Sequence, residues 1–312
     1  MTASESSSPV ALAFEEHRRA LWGVAYRMTG SAADADDVLQ DTFERATTHP
    51  PERMDAPLRP WLVRIAINLA KDALRKRKQQ GYVGPWLPSP VEDDPALEDV
   101  APSPHARYEL RQSASFAFLL ALEVLTPPQR AVLLLRDVFD YSVRETAGTL
   151  DLSEINVKVI HHRARRAMAE HDRTSQPMTG QLEASTRAAL ERFLAALLTE
   201  DVAAAAACVA EDARLLSDGG GEFHAALRPV LGRDRIQRFF FGLQRKLGRA
   251  ESRFAVRTLN GLPAVLVEYD APRARWGPRF VLRCDVDARG AIRELHVVVA
   301  SAKLRAVPPI PR

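Results

Sequence analysis

Residues 125–168 read LTPPQRAVLLLRDVFDYSVRETAGTLDLSEINVKVIHHRARRAM. The stretch carries its own punctuation. Thr126 ahead of Pro127 and Pro128 marks a helix start, because threonine caps and proline is tolerated in a first turn. Ser142 is placed to cap a short second helix. Residues 149–153, TLDLS, turn the chain, and Ser153 caps a longer helix that carries Lys158, Arg163, Arg165 and Arg166. A short helix, a tight turn and a longer basic helix make the outline of a helix-turn-helix. A plain helical hairpin has the same outline, so both readings stand on these residues alone.

On the N-terminal side, residues 12–79 also read as helices. Phe14, Leu21, Trp22, Ala25 and Met28 recur at helical spacing, and Gly30 is a C-terminal stop. Ser31 caps a following helix whose early aspartates suit the positive end of its dipole. Pro50, Pro51 and Pro57 break the chain, and a basic helix follows from about Pro60. Residues 80–106 are rich in proline and acids and read as an extended linker. Trp86-Leu87 is unusual inside such a segment. Two readings are open for it, local collapse onto a neighbouring helix or a docking point for another domain.

Residues 173–180 form a second linker, and the remainder is of a different class. Helices over 182–213 precede ARLLSDGGGEFHAAL (213–227), which reads as strand, glycine turn and strand. An amphipathic helix over 232–247 leads to alternating apolar and polar runs with turns at Asn260-Gly261 and Ala288-Arg289-Gly290. That pattern predicts an antiparallel sheet with hairpins, packed on helices as an α+β unit.

The chain has 312 residues, 46% hydrophobic and 27% charged, with a net charge of +3. This is an ordinary balance for a globular protein long enough for several domains. No apolar run reaches the roughly 20 residues of a transmembrane helix, and no signal peptide is read at the start. Cys208 and Cys284 form no metal or redox motif, so reduced thiols and a cytoplasmic setting are expected. The charges are segregated. SAADADDVLQDTFE (31–44) is acidic, whereas RPWLVRIAINLAKDALRKRKQQ (59–80) and VKVIHHRARRAM (157–168) are basic. Such segregation suits polyanion contacts at the basic segments and a basic protein partner at the acidic one.

DADDVLQDTFERA (34–46), PWLVRIAINLAKDALRKRK (60–78) and residues 125–168, in that order, resemble regions two and four of bacterial sigma factors of the extracytoplasmic-function group. The resemblance implies two all-α domains, region two over 10–79 and region four over 107–172. It implies that Asp36, Asp37, Gln40, Asp41 and Phe43 dock on the clamp helices of the largest subunit of core RNA polymerase. It places Arg64, Asn68, Lys71, Arg75 and Lys76 on the −10 promoter element, with Asn68 near an extruded base. In region four, Glu154, Asn156, Val157, Lys158 and His161 are expected to face −35 bases. Arg163, Arg165 and Arg166 are expected to hold phosphates. Lysine at 158 stands where many relatives have arginine, and it lacks the fork that grips guanine. His161 and His162 are adjacent on a helix and point apart, so no metal is expected, nor any cofactor.

Residues 181–306 resemble the SnoaL-like, NTF2-like cone carried by one subgroup of these factors. Three features carry that resemblance: the Trp86-Leu87-Pro88 linker, the Asp218-Gly219-Gly220-Gly221 loop, and Lys303-Leu304, which follow Ala300-Ser301-Ala302 where relatives have Asn-Pro-Asp. The glycine run lacks the Lys-Ser/Thr of a phosphate loop. It suits either a hairpin turn or close approach by another segment. The resemblance implies that this segment is the chain's own linker, so that the C-terminal domain regulates the factor in cis and no separate anti-sigma factor is required. Asp218, His224 and His296 are the acid/base candidates in the cone. No convincing pair is formed, and no enzyme activity is expected. The alternative is a helix-turn-helix DNA-binding protein with a ligand-sensing or enzymatic SnoaL-like domain.

Overall fold

The structure, a computed structural model, describes residues 8–52, 54–92, 112–248, 251–271 and 275–311. The chain divides into two compact units. One holds the described residues of 1–80 and 112–175, and the other those of 81–92 and 176–311.

In the first unit, α1 (Pro9–Thr29), α2 (Ala32–Thr48) and α3 (Leu58–Gln80) form a bundle. The caps lie where the sequence places them. Gly30 ends α1 in the left-handed region at φ 67°, with its N–H on Tyr26 O. Ser31 Oγ accepts Asp34 N at 3.2 Å and opens α2. The apolar stripes supply a core that includes Phe14, Leu21, Met28, Val38, Leu62, Ile67 and Ala70. Trp22 is half-buried, and its indole Nε1 donates to Asp36 Oδ1 at 2.7 Å.

The same unit continues with α4 (Phe116–Ala121), α5 (Pro127–Leu133), a π-helical turn (Leu134–Val138), α6 (Val143–Leu150) and α7 (Glu154–Thr174). Ser142 and Glu145 make a reciprocal capping box at the start of α6, and Ser153 Oγ accepts Asn156 N at the start of α7. Val132, Ala147 and Val157 form the small core between α5, α6 and α7. Arg130, 2% exposed, donates to Met28 O, Leu122 O and Glu123 Oε1, so α5 is tied to the end of α1. Every such bond offsets part of the cost of burying a guanidinium.

The second unit is α+β. It comprises α8 (Gly180–Leu198), α9 (Val202–Cys208), β1 (Val209–Asp218), β2 (Val230–Leu231), α10 (Arg233–Leu247), β3 (Ser252–Leu259), β4 (Leu262–Tyr269), β5 (Arg279–Val286) and β6 (Ile292–Val298). The strand order is β2-β1-β6-β5-β4-β3. Leu190 and Phe193 of α8 and Ile236 of α10 pack on Leu215, Val265, Leu282 and Leu295, one face of the sheet. Cys208 and Cys284 are buried free thiols, and burial pushes the Cys284 pKa up.

Two expectations are corrected here. The sheet is mixed, because β1 runs parallel to β6 with Asp218 opposite Val298. A half-buried strand alternates in the same way in either direction, so periodicity does not distinguish them. The strand expected directly after the glycine loop is also absent over residues 223–229. Residues 220–222 turn, and the next strand is the short β2, paired to Arg214 and Leu215. A third point concerns the expected linker 80–106. Gln80 is the last residue of α3, residues 81–92 belong to the C-terminal unit, and residues 93–106 lie outside the described residues.

Candidate nucleic-acid interface and linker clasp

The α2 helix separates the five residues expected at a polymerase surface. Asp37, Gln40 and Asp41 form an exposed stripe, joined by Glu44, which the sequence reading did not include. Asp36 and Phe43 turn toward α1. Asp36 accepts from Trp22, and the Phe43 ring lies 4.9 Å from that of Phe14.

On α3, Arg64, Asn68, Lys71 and Arg75 recur at helical spacing and share one face, with Lys76 to its side. Lys71 Nζ donates to Asn68 Oδ1 at 3.1 Å, which orients the amide. Burial, with Arg75 alongside, lowers the Lys71 pKa, and Asp72 opposes this. Arg75 pairs with Asp72 at 2.6 Å, which gives that acid a partner within the stripe. Arg64 pairs at 3.3 Å with Asp151, the left-handed residue of the α6–α7 turn.

On α7, the structure corrects two of the expected base-facing residues. Val157 is 0% exposed and belongs to the core with Val132 and Ala147. His161 is half-buried and hydrogen-bonded to Asp137 at 2.7 Å, so it faces the body of the domain. Their positions on the helix put Ala164 and Met168 on the same inward side, and both are buried. Glu154, Asn156, Lys158, Arg163, Arg165 and Arg166 are exposed. Arg165 lies beside Asp137 at 3.5 Å and Asp172 at 3.9 Å.

The C-terminal unit holds residues 81–92 at two places. Asp218, at the end of β1 and 0% exposed, is the first. Its carboxylate accepts from Tyr82 Oη at 2.6 Å, Leu87 N at 2.8 Å, Gly220 N at 3.0 Å and Lys303 Nζ at 2.5 Å. Lys303 Nζ also donates to Leu87 O and sits 4.1 Å from the Trp86 ring centroid and 4.8 Å from that of Tyr82. Leu87, Pro88, Ser89 and Pro90 are buried, and Leu304 is buried next to Lys303. Of the two readings of Trp86-Leu87, the structure therefore shows docking, against the end of β1 and the 3-10 turn Ser301–Leu304.

The three glycines now have separate reasons. A Cβ on Gly219 would lie 2.4 Å from Phe223 O within the turn. Gly220, at φ 60°, would bring a Cβ to 2.9 Å from that of Ala300. Gly221, at φ 75°, faces Val83 of the linker at 3.3 Å. Glu222 then accepts from the N–H and hydroxyl of Ser301, so the Ala300-Ser301-Ala302 sequence seats Lys303.

The second anchor was missed by sequence reasoning. Asn260, at φ 52°, donates its N–H to Val91 O at 2.9 Å and accepts Val91 N on Oδ1 at 3.2 Å. Arg257 pairs with Glu92 at 2.6 Å. The only signal was Asn260-Gly261, which also explains itself as a turn. Arg257, Arg253 and Arg279 further bind the carbonyls of Pro309, Ile310 and Val307, laying the C-terminal segment along the unit.

The helix-packed face of the sheet, together with α8 and α10, bounds a cavity of about 1110 Å³, lined by Phe239, Phe240, Phe280, Trp276, His224 and Ser217 among others. Asp218 follows Ser217 on β1 and points to the other face, where the linker takes up its oxygens. His296 likewise alternates with the cavity-lining Val297 and is held between Glu294 at 3.0 Å and Arg283 at 3.4 Å. Asp285, Glu294 and His296 bring possible metal-ligating atoms within 4.8 Å of one another, but Arg283 already pairs with Asp285 among them. Of the three acid/base candidates only His224 lines the cavity, tilted against Trp276 at 5.2 Å. Among the described residues no helix is long and apolar enough to cross a membrane.

Comparison with known proteins matches residues 13–80 to the sigma-70 region 2 family and residues 115–168 to the sigma-70 region 4 family. The ECF RNA polymerase sigma factor SigJ of Mycobacterium tuberculosis is 32% identical over 239 residues, covering 75% of this chain and 73% of that protein. SigG of the same organism is 34% identical over 215 residues, covering 60% of this chain and 55% of that one. The crystal structure of M. tuberculosis SigJ is similar across 95% of this chain and 98% of that chain, with 27% identity and a TM-score of 0.69.

Proposed function

Because the chain belongs to the extracytoplasmic-function RNA polymerase sigma factors, we propose that it is a member whose SnoaL-like C-terminal domain regulates it in cis through the linker. As a sigma factor it partners with core RNA polymerase and promoter DNA and initiates transcription. The observation that carries the regulatory reading is the Asp218 carboxylate, buried and shared between Tyr82, Leu87, Gly220 and Lys303. The held segment joins region two to region four in the chain. Any use of that segment on the polymerase competes with these intramolecular bonds, so the clasp restrains initiation until it opens. Trp86, Leu87, Pro88, Asp218, the three glycines, Lys303 and Leu304 are the regulatory residues on this reading, with Asn260 and Arg257 as a second hold.

We assign Asp37, Gln40 and Asp41 to the clamp helices of the polymerase, with Asp36 and Phe43 supporting them from the α1 side. Arg64, Asn68, Lys71 and Arg75, flanked by Lys76, are the −10 surface, where cations neutralise phosphates and Asn68 meets a base. Glu154, Asn156 and Lys158 face −35 bases, and Arg163, Arg165 and Arg166 hold the backbone. The domain limits on this reading are 10–79, 107–172 and 181–306, and the protein works in the cytoplasm. The clasp takes the role of a separate anti-sigma factor. The relatives are sigma factors and not enzymes, and the engagement of Asp218 and His296 outside the cavity supports a non-catalytic C-terminal domain. The cavity itself favours a second role for it, as a sensor for an apolar small molecule.

Run-off transcription with bacterial core polymerase and the full chain, on promoters selected from genomic fragments, tests the assignment. Initiation from a distinct set of fragments is expected. DNA binding without initiation on any fragment would move the DNA-binding sensor to the front.

A further inference from the structure

Ile155 is 73% exposed and Val159 is 43% exposed, and they stand one turn apart in the first two turns of α7. They lie on the side of the helix opposite Val157, Ala164 and Met168, and the same stripe continues through His162 to Arg166. The stripe is therefore apolar at its N-terminal end and basic further on. Among the described residues nothing covers the apolar end. β-Branched side chains are not favoured in helices, and Ile155 in particular buries little against its own domain.

We infer that Ile155 and Val159 read the 5-methyl groups of two thymines in the −35 element. This rests on α7 being the recognition helix. In that role its N-terminal turns meet base edges, and its later residues meet phosphates. Ile and Val neither donate nor accept hydrogen bonds. The thymine methyl is the apolar group that a major-groove edge offers, so it is the feature they match. The spacing also agrees. Four residues of helix rise about 6 Å, close to the roughly 6.8 Å of two base-pair steps. Asn156 and Lys158 flank the pair and supply the polar contacts to neighbouring bases.

The test uses holoenzyme assembled from the full chain and core polymerase, binding promoter duplexes selected from a library randomised over the −35 element. Each thymine of the selected site is replaced in turn by deoxyuridine, which removes only the methyl. For the unmodified chain, deoxyuridine should weaken binding about fourfold at two positions roughly two base pairs apart, the worth of one buried methyl. Ile155→Ala should abolish the sensitivity at one position and Val159→Ala at the other. Both residues are exposed, so neither change threatens folding. Arg166→Ala is the control for α7 itself and should weaken all sequences alike. If Arg166→Ala weakens binding but deoxyuridine has no effect, or has the same effect in all variants, the methyl inference is wrong and α7 stands. If Arg166→Ala also has no effect, the recognition-helix reading falls first.

Discussion

The Asp218 carboxylate accepts the backbone N–H of Leu87 at 2.8 Å, across 131 residues of chain. Main-chain recognition of this kind fixes where the linker lies, whatever its side chains do. Lys303 completes it by neutralising Asp218 and capping the Leu87 carbonyl. Both charges are buried, so their mutual pairing is what makes the burial tolerable.

Asp218→Ala should release the linker. It removes the carboxylate that pairs with the buried Lys303 charge and accepts the Leu87 N–H, and breaking a buried pair costs about 3–5 kcal/mol. Limited proteolysis should then cut within 81–92 faster than in the unmodified chain. Adding Lys303→Met should recover part of the loss, because the stranded charge is gone. Equal cleavage rates for Asp218→Ala and the unmodified chain would show that the contact contributes nothing.

The glycines should differ from one another. Gly219→Ala meets a backbone oxygen, and Gly220→Ala combines a left-handed φ with a close Ala300, so each should cost more than about 1 kcal/mol. Gly290→Ala is the comparison, with a φ of 76° but open space around it, and should cost less than either. Thermal midpoints of the three variants give the order directly.

Much of the helical part was legible because its signals are local. Ser31, Ser142, Ser153 and Gly30 cap or stop helices by contacts within four residues, and the structure shows each in that role. The inward face of α7 was not legible. It is set by Val132, Ala147 and Asp137, which are distant in sequence, and so Val157 and His161 were read as facing DNA. The same limit hid Asn260, whose turn role masked its hold on Val91. The parallel pairing of β1 with β6 left no trace in their alternation.

Val157→Ala and Lys158→Ala separate packing from binding. Val157→Ala should destabilise region four by about 1–3 kcal/mol, seen as a lower urea midpoint. Lys158→Ala should leave that midpoint unchanged and weaken DNA binding by the holoenzyme. The reverse assignment of effects would return Val157 to the DNA-facing side.

Glu294 predicts a pH dependence for the C-terminal unit. Burial alone would raise its pKa, but the hydrogen bonds and charges of His296 and Arg214 outweigh this and hold it at about 2, against an ordinary 4.5. A folded value below the unfolded one stabilises the protein fully above about pH 4.5. The stabilisation is lost as pH falls toward 2. Glu294→Gln should thus be less stable than the unmodified chain near neutrality, by urea denaturation. The gap should close between about pH 4.5 and about pH 2. A gap of constant size over that range would contradict the pairing with His296 and Arg214.

The central claim is that the clasp between the linker and the C-terminal domain restrains initiation. Run-off transcription at saturating core polymerase, comparing the unmodified chain with Asp218→Ala and with Asn260→Ala on one selected promoter, tests it most directly. The account predicts higher output from both variants, with the larger rise for Asp218→Ala, whose carboxylate holds more of the linker. Unchanged output from both, with core binding intact and the linker shown by proteolysis to be released, would contradict it.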